Sequence, residues 1–115
     1  MKIAHSTDVP AKAVTVPGAC DVSIRWLVGP DDQPPTFHLR EFTVGPGGCS
    51  PRHRHPWEHE VYILEGLGTV WTADGEVPVR AGSFVLVRPD EEHQFRAAGG
   101  AALRFLCMIP VTAAY

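Results

Sequence analysis

Long apolar runs, basic runs and helical periodicity are all missing from this 115-residue sequence. The longest apolar stretches last only a few residues, which excludes a membrane-spanning helix. The ten Lys and Arg are scattered and the formal net charge is only −3, so there is no electrostatic footprint for nucleic acid. Residues 1–8 lack the apolar core of a secretory leader, and a cytoplasmic protein is expected. Cysteine is scarce: Cys20, Cys49 and Cys107 are odd in number and far apart. They do not make a disulfide framework and are read as free thiols. No window of eleven or more residues carries a convincing helical period, so helix content should be low.

What the sequence does hold is turn chemistry and short strands. Eleven Gly and eleven Pro punctuate runs rich in β-branched and aromatic residues at 22–28, 36–44, 61–64, 69–71, 83–87 and 103–109. Short strands at this spacing predict an all-β sandwich or barrel. Asp74-Gly75 is a hairpin signal between two such runs. Residues 45–48 and 97–100 read as turns, and 31–35 as a polar loop. No composition shift marks a boundary, and the length suits a single domain, 1–115. The segment 13–24 has no evident partner within this set of strands.

Four of the six histidines fall in two places. His53, His55 and His59 lie within seven residues, and His93 arrives from a later strand. In extended chain, residues two apart face the same way, so His53 and His55 present their imidazoles side by side. Converging neutral imidazoles are a common way to hold Zn, Cu, Fe or Ni. His5 and His38 read as ordinary polar residues.

The spacing Gly47-x5-His53-x-His55-x3-His59-x6-Gly66 resembles the first motif of the cupin family, with His in place of its Glu. Gly82-x5-Arg88-x-Asp90-x2-His93-x3-Ala97 is similar to the second motif, from which Arg88, Asp90 and Ala97 depart. The stretch His53 to Glu60 is nearest to small bacterial single-domain cupins in which four histidines hold manganese. The resemblance covers about residues 24–110. It implies a jelly-roll barrel, a metal on His53, His55, His59 and His93, and a homodimer.

Glu60 competes with His59, because many cupins use a carboxylate ligand. Adjacent strand residues face opposite ways, so one of the two reaches the metal. His59 satisfies both motif gaps and is assigned. Four neutral ligands leave the full +2 charge of the metal and favour an anionic or oxygen-derived ligand. The divalent affinity order for imidazole sites favours Cu, Ni or Zn over Mn. Manganese (Mn2+) therefore rests on the resemblance, with Fe2+ and Cu2+ as alternatives.

In the last strand, Leu103, Phe105, Cys107 and Ile109 share one face. The resemblance turns this strand toward the metal and makes Phe105, Cys107 and Ile109 a pocket wall. It also places Arg40 near the pocket mouth, suited to an anionic substrate. Trp57 and Phe95 flank ligands as shields or as packing, and Glu58, Glu60, Glu91 and Glu92 are candidates to orient the imidazoles. The expected activity is a metal-dependent oxidoreductase, dioxygenase-like, using oxygen or peroxide on a small apolar or anionic substrate. A Lewis-acid decarboxylase or isomerase, and a binding or sensing module without turnover, are the alternatives, because fold does not fix chemistry.

Overall fold

A computed structural model describes residues 1–113 as an all-β jelly roll. Nine strands follow in chain order: β1 (Lys12–Ala13), β2 (Cys20–Val28), β3 (Phe37–Cys49), β4 (His59–Glu65), β5 (Leu67–Thr72), β6 (Gly75–Arg80), β7 (Phe84–Val87), β8 (Gln94–Ala98) and β9 (Leu103–Pro110). Helical structure among the described residues amounts to two 3-10 turns, Ser6–Asp8 and Pro30–Asp32. None of the described helices is long and apolar enough to cross a membrane.

The strands form one continuous curled sheet in the order β6-β5-β8-β3-β9-β4-β7, with β2 and then β1 added on the other side of β3. β3 makes the curl. Its first part pairs with β9 from Phe37↔Pro110 to Val44↔Leu103, and its end pairs with β8 at Cys49↔Arg96. One strand thereby belongs to both halves of the barrel.

Period-two burial sets which side chains face inward. Leu103, Phe105, Cys107 and Ile109 of β9 are buried, as are Val61 and Ile63 of β4. Phe105 stacks between Phe42 and Phe95, with ring centroids 5.5 and 4.8 Å away. Part of this core, Phe42, Phe95, Phe105 and Cys107, lines the same cavity as the histidines.

Three local expectations change. Residues 45–48 are not a turn: they continue β3, and Gly48 passes so close to Cys20 that a Cβ would lie 2.4 Å from its carbonyl oxygen. The hairpin between β5 and β6 pairs Thr72 with Gly75, so its two loop residues are Ala73 and Asp74, one earlier than the Asp-Gly signal suggests. The positive φ falls on Gly75, at +123°. Segment 13–24 does have a place, because β1 pairs with β2 and β2 with β3.

Candidate metal centre

The loop between β3 and β4 carries His53 and His55, and it is held by backbone bonds to the loop before β8. His53 and His93 exchange both N–H···O bonds, at 3.1 and 3.0 Å. The Asp90 amide donates to the His55 carbonyl at 2.6 Å. Asp90 adopts φ +63°, the left-handed conformation that Asp tolerates better than most residues. It stands where the second motif has glycine, so this departure leaves the turn intact. His59 begins β4 opposite Val87. Gly66, the last residue of the first motif, has φ +91°, and a Cβ there would lie 2.1 Å from the Ala102 carbonyl oxygen. Only glycine fits without a shift in the backbone.

Three of the four imidazoles converge. One ligating nitrogen from each of His53, His55 and His93 lies within 4.8 Å of the other two. His53 and His55 approach to 3.1 Å between their Nε2 atoms. His59 stands beside this trio, its ring 4.9 Å from that of His55 and 5.4 Å from that of His93. The Nε2 of His59 is buried and has no hydrogen-bond partner. A buried polar atom without a partner costs about 1–3 kcal/mol, and a metal ion in the middle of the cluster would satisfy it. Burial lowers the pKa of all four rings. His53 falls to about 4, with the charges of His55, His93 and Arg40 adding to the burial effect, and His59 falls to about 2, with Arg40 adding first. His55 and His93 are also lowered by burial. The rings are neutral near pH 7, the state a metal requires, so the donor set fits a divalent transition metal.

The outer contacts differ from the expected glutamates. His93 Nδ1 is 2.9 Å from the backbone carbonyl of Glu91, to which it donates, leaving Nε2 bare. His59 Nδ1 is 3.2 Å from the Sγ of Cys107. Glu60 points to the outer face, where it is part of an apolar surface with Tyr62, Phe84 and Met108. Its carboxyl is raised to about 7, chiefly by a hydrogen bond with Glu58. Glu92 pairs with Arg52 at 2.7 Å.

A cavity of about 300 Å³ opens over the histidines. Phe105, Cys107, Arg40 and Phe95 line it, and Trp26, Val14 and Val16 close it from the N-terminal side. Two expectations need correction. Ile109 is fully buried but is not among the cavity-lining residues, because the pocket ends at Cys107. Arg40 is not at the mouth: it is only 4% exposed, with its guanidinium 3.0 Å from Cys107 Sγ and 3.5 Å from His59 Nδ1. The rings of Phe42 and Trp26 cover it at 4.9 and 5.6 Å. Trp57 stacks flat on His55, with centroids 4.7 Å apart. His38 is buried too, edge-on to Trp26, with its Nδ1 unpartnered. The N-terminal wall and the Glu91 carbonyl were absent from the sequence reading. Neither has a local signal, since a carbonyl is the same in every residue and a strand's partner lies far along the chain.

This barrel is a cupin. The sequence model of the Cupin domain family matches residues 40–109, and the chain belongs to that family. The polyketide cyclase RemF from Streptomyces resistomycificus has a similar structure, with a TM-score of 0.93 and 37% identity; the match covers 100% of this chain and 82% of that one. Two curated relatives are the 1-methylthio-D-xylulose 5-phosphate methylsulfurylase of Rhodospirillum rubrum, 42% identical over 74 residues, and the oxalate-binding protein of Thermotoga maritima, 34% identical over 65 residues. These matches take in 64% and 56% of this chain, and 47% and 54% of the relatives, so the chain spans about half the length of the curated relatives it matches.

Proposed function

We propose that this cupin is a metal-dependent cyclase that folds and closes a flexible, oxygen-rich, largely apolar chain of the polyketide type. The observation that carries the reading is the joining of two unlike surfaces in one cavity. Aromatic and aliphatic walls, Trp26, Phe42, Phe95 and Phe105, face four neutral imidazoles and one buried guanidinium. A cavity near 300 Å³ is at the small end of ligand sites, suited to one ring-forming segment rather than a whole long chain. The likeness to a polyketide cyclase over the full length of the chain supports the same substrate class.

His53, His55, His59 and His93 are the residues that would hold the ion. A bound divalent ion supplies Lewis-acid polarisation of a carbonyl oxygen. The rest falls to the chain. Arg40 directs a fixed positive charge into a site of low dielectric, where an enolate oxygen is stabilised far more than in water. The apolar walls hold the substrate in its folded conformer and exclude water, which supplies the entropic part of ring closure. Ring closure of this kind joins an enolate carbon to a second carbonyl carbon of the chain while the α-proton passes to the new alkoxide oxygen, and that hydroxyl then leaves as water with a further α-proton.

Oxidation of an apolar substrate by oxygen or peroxide is the second reading, favoured by a ligand set with no carboxylate, which leaves the metal's charge undiminished. Manganese is the metal that the family resemblance implies, with iron or copper as alternatives. One experiment separates the readings. Protein loaded in turn with Zn, Mn, Fe or Cu is given a poly-β-ketoacyl chain generated in the reaction vessel, with oxygen uptake followed throughout. New cyclised products with a redox-inactive metal and no oxygen uptake support the cyclase. Products that require oxygen and a redox metal support the oxidase. Products no different from those of a His53→Ala/His55→Ala blank across all metals would sink both.

A further inference from the structure

We infer that Cys107 is the positioning residue of the fourth histidine: its sulfur fixes the tautomer of His59 that turns a bare Nε2 toward the ligand cluster. The inference rests on the four-histidine reading and adds to it the reason one of the four is held correctly. Metal-bound imidazoles almost always donate their second N–H to a carboxylate, a carbonyl or water. His93 follows that rule through the Glu91 carbonyl. His59 does not: no carboxylate or carbonyl oxygen is recorded as a partner of its Nδ1, which meets sulfur at 3.2 Å and an Arg40 nitrogen at 3.5 Å.

Those two contacts decide the tautomer. A guanidinium is always a donor and has no acceptor atom. Were Arg40 to donate to His59 Nδ1, that nitrogen would be bare and Nε2 would carry the proton. The same Arg40 nitrogen is 3.0 Å from Cys107 Sγ, however. That nitrogen carries two N–H bonds, but at 3.5 Å it stands at the limit of a hydrogen bond to His59 Nδ1, whereas 3.0 Å to the larger sulfur atom is a tight contact, so its donation goes to the sulfur. Sulfur then accepts a second N–H, from His59 Nδ1. This leaves His59 Nε2 without a proton, and that is the buried atom with no hydrogen-bond partner. Cys107 and His59 are 3% and 6% exposed and lie on neighbouring strands, with Cys107 paired to Val61, two residues along β4 from His59. A sulfur in this position cannot be replaced by water, and the rigid sheet sets its distance. The Arg40 contact in turn keeps the cation on the sulfur rather than on the imidazole.

The test compares Cys107→Val, which matches the thiol in size and has no acceptor, with Cys107→Ser, which keeps one. Zinc affinity is read by competition with a chromophoric chelator, and the coordination geometry by the visible spectrum of the cobalt-loaded protein. Wild type should bind one zinc. Cys107→Val should bind it roughly ten- to a hundred-fold more weakly and change the cobalt spectrum, and its metal-free melting temperature should fall, because two buried N–H groups lose their acceptor. Cys107→Ser should recover most of the loss. Equal affinity and an unchanged spectrum in Cys107→Val would overturn the inference, and so would a serine variant as weak as the valine one. The tautomer is also read directly, by long-range nitrogen-15 NMR of metal-free wild-type protein labelled at histidine. A proton on His59 Nδ1 is expected, and a proton on Nε2 would overturn the assignment even if neither variant folds. Wild type that binds no zinc would end the four-histidine reading itself, whatever the tautomer.

Discussion

His59 and Glu60 are neighbours in β4 that face opposite sides of the sheet. His59 is buried and lines the cavity, and Glu60 lies on the outer surface beside Tyr62 and Met108. The pleat alone therefore assigns the fourth candidate ligand. His59→Ala should reduce bound metal to a small fraction of one equivalent per chain. Glu60→Ala should leave the stoichiometry near one. Equilibrium dialysis followed by elemental analysis checks both.

The imidazoles make the metal-free protein sensitive to acid. Folded His53 and His59 have pKa values of about 4 and about 2, below the ordinary 6.5. Below pH 6.5 the unfolded chain binds more protons than the folded one, so stability falls as pH falls. The loss should begin near pH 6.5, continue through pH 4 and be absent between pH 7 and 8. Urea unfolding of metal-free protein at a series of pH values measures it. In the His53→Ala/His55→Ala variant the decline between pH 6.5 and 4 should be visibly shallower.

Two glycines of the first motif should respond differently to alanine. Gly47 and Gly66 both have positive φ, +74° and +91°. A Cβ at Gly47 meets nothing within 4 Å, whereas one at Gly66 meets a backbone oxygen at 2.1 Å. Gly47→Ala should cost about 1 kcal/mol of conformational strain. Gly66→Ala adds a clash with the main chain and should cost about 3 kcal/mol or more. Thermal denaturation ranks the two.

The histidine spacing was legible because it is local. Parity within an extended segment put His53 beside His55 and set His59 apart from Glu60, and no distant contact was needed. Depth was not legible. Arg40 shares a strand face with Phe42 in any reading, yet its burial beneath Trp26 depends on β2, which folds back from outside the matched family region. Ile109 has the right parity for a pocket wall and is excluded by where the cavity ends. Residues 45–48 carry every turn signal and still run within β3, as an irregularity between the pairs Val22↔Val44 and Cys20↔Cys49, where a Cβ on Gly45 would meet the Asp21 side chain and one on Gly48 the Cys20 carbonyl. His38 reads as an ordinary polar residue and is buried, edge-on to Trp26 of β2, a neighbour that the local sequence does not show.

The homodimer implied by the family resemblance needs an uncovered strand edge, and segment 13–24 is the one the sequence suggests. That segment pairs within its own sheet, so the argument moves to β7, an edge strand whose Phe84 is 80% exposed next to half-exposed Tyr62 and Leu86. An apolar edge of this kind needs cover in solution. Light scattering at micromolar concentration should give twice the chain mass, and Phe84→Lys should reduce it to one.

The most direct test of the account is the metal content of wild-type protein expressed in medium supplemented with Mn, Fe, Cu and Zn and purified without chelator. Three converging neutral imidazoles and a fourth beside them with a buried and unpartnered Nε2 predict close to one divalent transition metal per chain and a melting temperature that drops on chelation. Elemental analysis that finds no metal, with a melting temperature unchanged by chelator, would contradict it.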